Sequence, residues 1–160
     1  MRGRFLHNDV LVAPVAALLR EYGVQSQLEH ATESGRGTTF VDLLAVRESL
    51  RLVCEAELSP DRVWNDVNKA VSLEANLLLI VVPNARIARR VRRRLSRLTV
   101  PMIPESLDIW ILPLGPALQR LREKLSLMTR VNVPRTLSHQ TTPPQSGNDR
   151  NDLTHGKSDR

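Results

Sequence analysis

Three carboxylates in the first half of the chain stand where carboxylates are seldom found. Asp42 interrupts the apolar run Phe40-Val41-Asp42-Leu43-Leu44-Ala45-Val46, and Glu55 and Glu57 interrupt Leu52-Val53-Cys54-Glu55-Ala56-Glu57-Leu58. Both runs read as β-strands, whose side chains alternate between two faces. Val53, Glu55 and Glu57 then share one face, with Leu52, Cys54 and Ala56 on the other. The two glutamates stand about 7 Å apart along the strand. The short polar break Arg47-Glu48-Ser49 makes the two strands a hairpin, which can bring Asp42 alongside the glutamates. Burying unpaired carboxylates is costly, and three on one surface repel one another. A divalent cation answers both problems. Oxygen ligands with no His nearby, and with Cys54 on the opposite face, favour Mg²⁺ or Mn²⁺ over zinc. A plainer arrangement pairs the acids with Arg47, Arg51 or Arg62 on a solvated strand face.

A second constellation is cationic. Arg86, Arg89, Arg90, Arg92, Arg93, Arg94 and Arg97 follow one another with no acid between them. The chain has a formal charge of +6, and this run alone carries +7, so the remainder sums to −1. Like charges one helical turn apart destabilise a helix by a few tenths of a kcal/mol per pair, roughly, so the run calls for a compensating partner. Guanidinium groups bind phosphate oxygens bidentately. Arg86, Arg89, Arg90, Arg93, Arg94 and Arg97 are therefore the expected nucleic-acid contacts, ahead of an acidic protein or an anionic membrane surface.

These residues need a scaffold, and the pattern supplies one. Asn8 to Tyr22 reads as a helix, capped by Asn8 or Asp9 and ended by Gly23 in the left-handed conformation, with Pro14 starting or kinking it. Val24–Ala31 is a half-exposed strand, Glu33 to Gly37 a turn, Phe40–Val46 a second strand and Leu50–Leu58 a third. Gly35-Arg36-Gly37 is a hairpin turn and lacks the context of a phosphate-cradling loop. Ser59-Pro60-Asp61 starts a helix that runs to about Leu73, with Val63, Val67, Ala70 and Val71 on its buried stripe. Ala75–Val82 is continuously apolar, the mark of a central strand buried on both faces. Asn84 caps the arginine helix, whose apolar positions are Ile87, Val91, Leu95 and Leu98. Pro101 and Pro104 mark a loop, Leu107–Leu112 a further strand and Pro116–Met128 a last helix. The expected fold is α/β: a mixed central sheet with helices on both faces, around an αβββαβ core. Residues 1–131 form this domain. Residues 132–160, rich in Pro, Ser, Thr, Asn and Gln, cannot bury enough apolar surface to order themselves and are expected to be a disordered polar tail.

In this order of elements the chain resembles the PD-(D/E)xK nuclease superfamily, the restriction-endonuclease-like fold. Residues 8 to about 98 match the family core. Asp42 stands at the family's Asp on the second strand, and Glu55-Ala56-Glu57 at its acid-x-Lys on the third. Val41 replaces the family's Pro and Glu57 its Lys. Some relatives supply that Lys from the following helix, where this chain carries Lys69, one of its three lysines. Arg62, Asp66 and Lys69 share a polar face of that helix; the sequence leaves open whether the face looks at the acids. The resemblance implies a Mg²⁺- or Mn²⁺-dependent nuclease hydrolysing phosphodiesters of DNA. Asp42 and Glu55 would hold the cation, Glu57 would join its shell or orient a water, and Lys69 would offset charge developing on the phosphate. An alternative is a catalytically inactive nucleic-acid-binding module of the same fold, and a third is a protein-interaction domain. A homodimer is compatible with all three.

Composition narrows the rest. The chain of 160 residues is of one-domain size, and its single Cys excludes a disulfide framework and a cysteine-built zinc site. Cys54 is expected in the core. Aromatic residues make up 3%, too few for a base-stacking platform. Glu21 and Glu29 are expected at the surface. His7, His30, His139 and His155 are scattered and suggest no metal site or catalytic triad. No run approaches the roughly 20 apolar residues of a membrane span, and the N-terminus lacks the apolar core of a signal peptide. A cytoplasmic protein is expected.

Overall fold

A computed structural model describes residues 6–34, 37–97 and 103–131. The first helical element begins as a wide π-helical stretch, Leu6–Val12, and continues as α1, Ala13–Glu21, with Pro14 just after the junction, where it gives the preceding turn no N–H. Gly23, at φ +67°, ends it as expected, and the Val24 N–H reaches back to the Leu19 carbonyl.

Strands β1 (Gln25–Ser34), β2 (Gly37–Arg47) and β3 (Leu50–Ala56) form an antiparallel meander. A 3-10 turn, Pro60–Arg62, leads into α2, Val63–Ser72. Strand β4 (Leu77–Val82) then lies parallel to β3. Helix α3 (Ala85–Ser96) leads to β5 (Asp108–Pro113), parallel to β4, and α4 spans Leu114–Val131. The five strands follow one another across one mixed sheet in chain order, so the fold is α/β. The early strands connect through hairpins. The later ones need helical crossovers, and same-handed crossovers put α2 and α3 on the same face.

Two cores result. Leu43, Ala45, Leu52, Cys54, Leu77, Leu79 and Val81 pack under α1 and α4. Val41, Leu44, Val53, Leu78, Ile80 and Val82 pack under α2 and α3. All six residues of β4 are buried, as its continuous apolar run requires. Cys54 is buried, and burial raises its thiol pKa well above the ordinary value, so it is a packing residue. Glu21 and Glu29 are exposed. Asn84 caps α3 by accepting the Ile87 N–H. No helix among the described residues is long and apolar enough to cross a membrane. Gly35, Arg36, Leu98, Pro101 and the tail from residue 132 lie outside the described residues.

Strict alternation fails at one place. Val41 belongs to the core under α2 and α3, whereas Leu43 and Ala45 belong to the opposite core. Residues two apart on a regular strand share a face, so β2 rotates about Asp42. Glu29, between the registered pairs Leu28–Leu43 and His30–Val41, has φ +48° and carries the matching irregularity in the neighbouring strand.

Candidate functional site

The acids gather where β2 and β3 part. Their ladder ends at Leu43 opposite Cys54, one step short of Asp42 and Glu55, while β3 keeps its pairing with β4 through Ala56 and Val81. At this edge the Asp42 carboxylate replaces the missing strand: its Oδ2 accepts the Ala56 N–H at 2.7 Å. The Glu57 N–H, just past the strand, is satisfied by the Val81 carbonyl. Asp42, partly exposed, also lines a cleft of about 310 Å³ together with Asp9, Val12, Ala13, Leu28 and Glu29.

Glu55 points from β3 to α2, as the alternation of Val53 and Glu55 requires. The polar face of α2 answers it. Lys69 Nζ lies 3.0 Å from Glu55 Oε1 and 3.5 Å from Asp66 Oδ1. Asp66 is 1% exposed and Glu55 3%. Asp66 Oδ2 is buried and meets no N–H donor. The carboxyl group of Glu57, 7% exposed, turns to Asp66 and feels the exposed guanidinium of Arg62. Thus the structure brings together Asp42, Glu55 and Lys69, and sets Glu57 against Asp66. The sequence marks Asp66 only as a neighbour of Lys69 on a polar face. Its spacing from Lys69 was the available signal; its burial comes from the strand lying against that face.

Four carboxyl groups and one ammonium occupy this region, and the acidities of Glu55, Glu57, Asp66 and Lys69 respond. Burial pushes Glu55 up to about 9, with the Asp66 charge adding and Lys69 opposing. Burial and then the Asp66 charge push Glu57 up to about 8. Burial pushes Asp66 up to about 6 against the pull of Lys69. Burial acts to lower the pKa of Lys69, but Glu55 and Asp66 outweigh it and hold the ammonium above its ordinary value. At neutral pH the cluster therefore keeps protons unless a further cation joins it.

A hard divalent cation fits the donor set, which is made of carboxylate oxygens. Among the described residues no three Asp, Glu, His or Cys side chains converge as an all-protein metal cage requires. Mg²⁺ does not require such a cage; it commonly takes one or two carboxylates and fills its shell with water and substrate phosphate oxygens. Asp42 and Glu55, one step beyond the last β2–β3 pair, suit that mode.

The second constellation lies on the same side of the sheet as α2. Helix α3 packs beside the Pro60–Arg62 turn. Arg86, Arg89, Arg90, Arg93, Arg94 and Arg97 are exposed, and among the described residues none of them forms an ion pair. Arg86, Arg90, Arg93 and Arg97 line up over about 16 Å of helix. Arg92 differs: its guanidinium donates to the Ile111 carbonyl and fastens α3 to β5.

No protein-family model matches the chain, and no curated protein matches it. Among solved structures, the crystal structure of AF1548, a protein of unknown function, is 17% identical over 44% of this chain and 44% of that chain, with a TM-score of 0.38. The match thus spans less than half of either chain, and a likeness so slight carries no argument about fold or function.

Proposed function

We propose that the chain is a metal-dependent phosphodiesterase that hydrolyses DNA, with the restriction-endonuclease-like arrangement of the PD-(D/E)xK nucleases. The observation that carries the reading is the 3.0 Å contact between Lys69 Nζ and Glu55 Oε1. In the family pattern a lysine stands two residues after the strand-three acid; here that position is Glu57, and an ammonium reaches the acid from α2 instead.

Asp42 and Glu55 would hold Mg²⁺ or Mn²⁺. When bound, the cation supplies positive charge beside the scissile phosphate and lowers the pKa of a coordinated water. The Ala56 N–H holds the Asp42 carboxylate in a fixed direction. Lys69, already charged and largely shielded from solvent, needs little reorganisation to oppose negative charge building on the phosphate oxygens. Glu57 stands with Asp66, and its part is to shape the surroundings of Lys69. The exposed arginines of α3 give the polyanionic backbone a sequence-independent hold.

The test is incubation of branched, single-stranded and duplex DNA with Mn²⁺, comparing the wild type with Glu55→Ala and Asp42→Ala. Cleavage that needs the divalent ion and disappears in both variants is expected. Cleavage surviving both changes removes the proposal. A second reading, a binding module without catalysis, draws on the unpaired arginines alone: DNA affinity with a steep salt dependence and no response to Mg²⁺ or Mn²⁺ would favour it.

A further inference from the structure

Asp66 is a carboxylate in the interior that caps no backbone N–H. It lies in the first turn of α2, where an acid commonly takes a backbone N–H or answers the helix dipole. Neither oxygen takes a backbone N–H: Oδ1 accepts from Lys69 Nζ, and the Glu57 carboxyl turns to the same group. Its neighbours on the helix, Val63, Val67 and Ala70, are buried apolar residues, so an apolar side chain here would pack without the cost of an internal charge.

What Asp66 does have is a fixed relation to Lys69. The two are three residues apart on one helix, so the rigid helix backbone fixes their relative placement. Glu55 reaches Lys69 from the sheet, and its oxygens are also wanted by a cation. Asp66, behind Lys69 and 1% exposed, is not exposed to that competition.

We infer that Asp66 is the positioning residue for Lys69: from within α2 it holds the ammonium toward the Asp42–Glu55 edge independently of Glu55. The catalytic consequence rests on the phosphodiesterase reading; the placement of the ammonium does not. A lysine swinging free on four methylenes would visit the phosphate only part of the time, and a displacement near 1 Å at a reacting centre can lower a rate about 100-fold.

The experiment uses the full chain with Asp66→Asn. The Lys69 ammonium is followed by its own ¹⁵N–¹H resonance, which is visible when a buried ion pair slows proton exchange and is assigned by its disappearance in Lys69→Arg. Expected are a native circular dichroism spectrum, loss of that resonance, and a kcat for Mn²⁺-dependent DNA cleavage about 100-fold lower with KM changed by less than about 2-fold. A resonance that survives Asp66→Asn overturns the inference whatever the activity. If the wild type cleaves no DNA while the resonance still depends on Asp66, the positioning stands and the phosphodiesterase reading falls. Should Asp66→Asn fail to fold, Asp66→Glu keeps the charge and lengthens the arm by one methylene: a shifted resonance and a lower kcat support the inference, and an unchanged resonance overturns it.

Discussion

Lys69 and Glu55, fourteen residues apart in the chain, meet at 3.0 Å across the space between a helix and a strand. Only 16% of the Lys69 side chain and 4% of the Glu55 side chain is exposed. A pair so enclosed is costly to break from one side, because a buried polar group stays without its partner. Lys69→Met should therefore lower the unfolding free energy by about 1 to 3 kcal/mol in urea titrations at neutral pH. Glu55→Gln combined with Lys69→Met should cost less than the two single changes added together. Strict additivity would show that the two side chains do not interact.

Stability should fall as the pH rises. Glu55 and Glu57 have ordinary values near 4.5, and in the fold they are pushed up to about 9 and about 8. The folded state therefore binds more protons than the unfolded chain between those limits. The stabilisation is complete below about pH 4.5 and is lost as the pH climbs through 8 to 9. Asp66, at about 6, contributes in the same direction at the lower end. Without divalent ions, the thermal midpoint should drop between pH 5.5 and pH 9. Glu57→Gln, an amide that cannot ionise, should flatten the drop, and Mg²⁺ at pH 9 should restore part of it. A midpoint that climbs over this range would contradict the burial of these acids.

The elements were legible wherever one local rule decided them. Gly23 ends α1 in the left-handed conformation, Asn84 caps α3, and the unbroken apolar run of β4 is buried on both sides. Asp42, Glu55 and Lys69 were legible as candidates because a charge in an apolar strand, or a rare lysine on a polar helix face, stands out from its surroundings. Two features were not legible. The rotation of β2 at Asp42 falls where the regular pairing with β1 is interrupted, and alternation read along one strand cannot show it. The burial of Asp66 depends on which side of α2 meets β3. A polar face at helical spacing normally looks to water, and here only Arg62 does so, while Asp66 and Lys69 turn inward.

Asp42 carries two separable duties. Its Oδ2 accepts the Ala56 N–H where the β2–β3 ladder has ended, and the same carboxylate is the proposed partner of Glu55 in holding a cation. Asp42→Asn keeps a side-chain oxygen for the Ala56 N–H but loses the charge. Asp42→Ala loses both and leaves a backbone donor unsatisfied, at a cost of about 1 to 3 kcal/mol. The Asn variant should unfold close to the wild type and the Ala variant clearly earlier, while neither shows heat of Mg²⁺ or Mn²⁺ binding by calorimetry. Equal stability of the two variants would mean that the contact with Ala56 contributes nothing to the edge of the sheet.

The arginines of α3 should separate in the same manner. Arg90, Arg93 and Arg94 are exposed and form no ion pair among the described residues, so changing them to Gln removes no intramolecular contact and should leave stability within about 0.5 kcal/mol of the wild type. If they meet phosphates, each loss should reduce the slope of log K against log salt by about 0.9 on duplex DNA. Arg92 is the internal control. It sits among them in the sequence but donates to the Ile111 carbonyl on β5. Arg92→Gln should leave the salt slope unchanged and lower stability by about 1 kcal/mol or more, because a charge-assisted bond to the sheet is lost. The reverse outcome, a slope that drops only with Arg92, would place the nucleic acid on another side of the helix and detach the arginine row from the acids beside the Pro60–Arg62 turn.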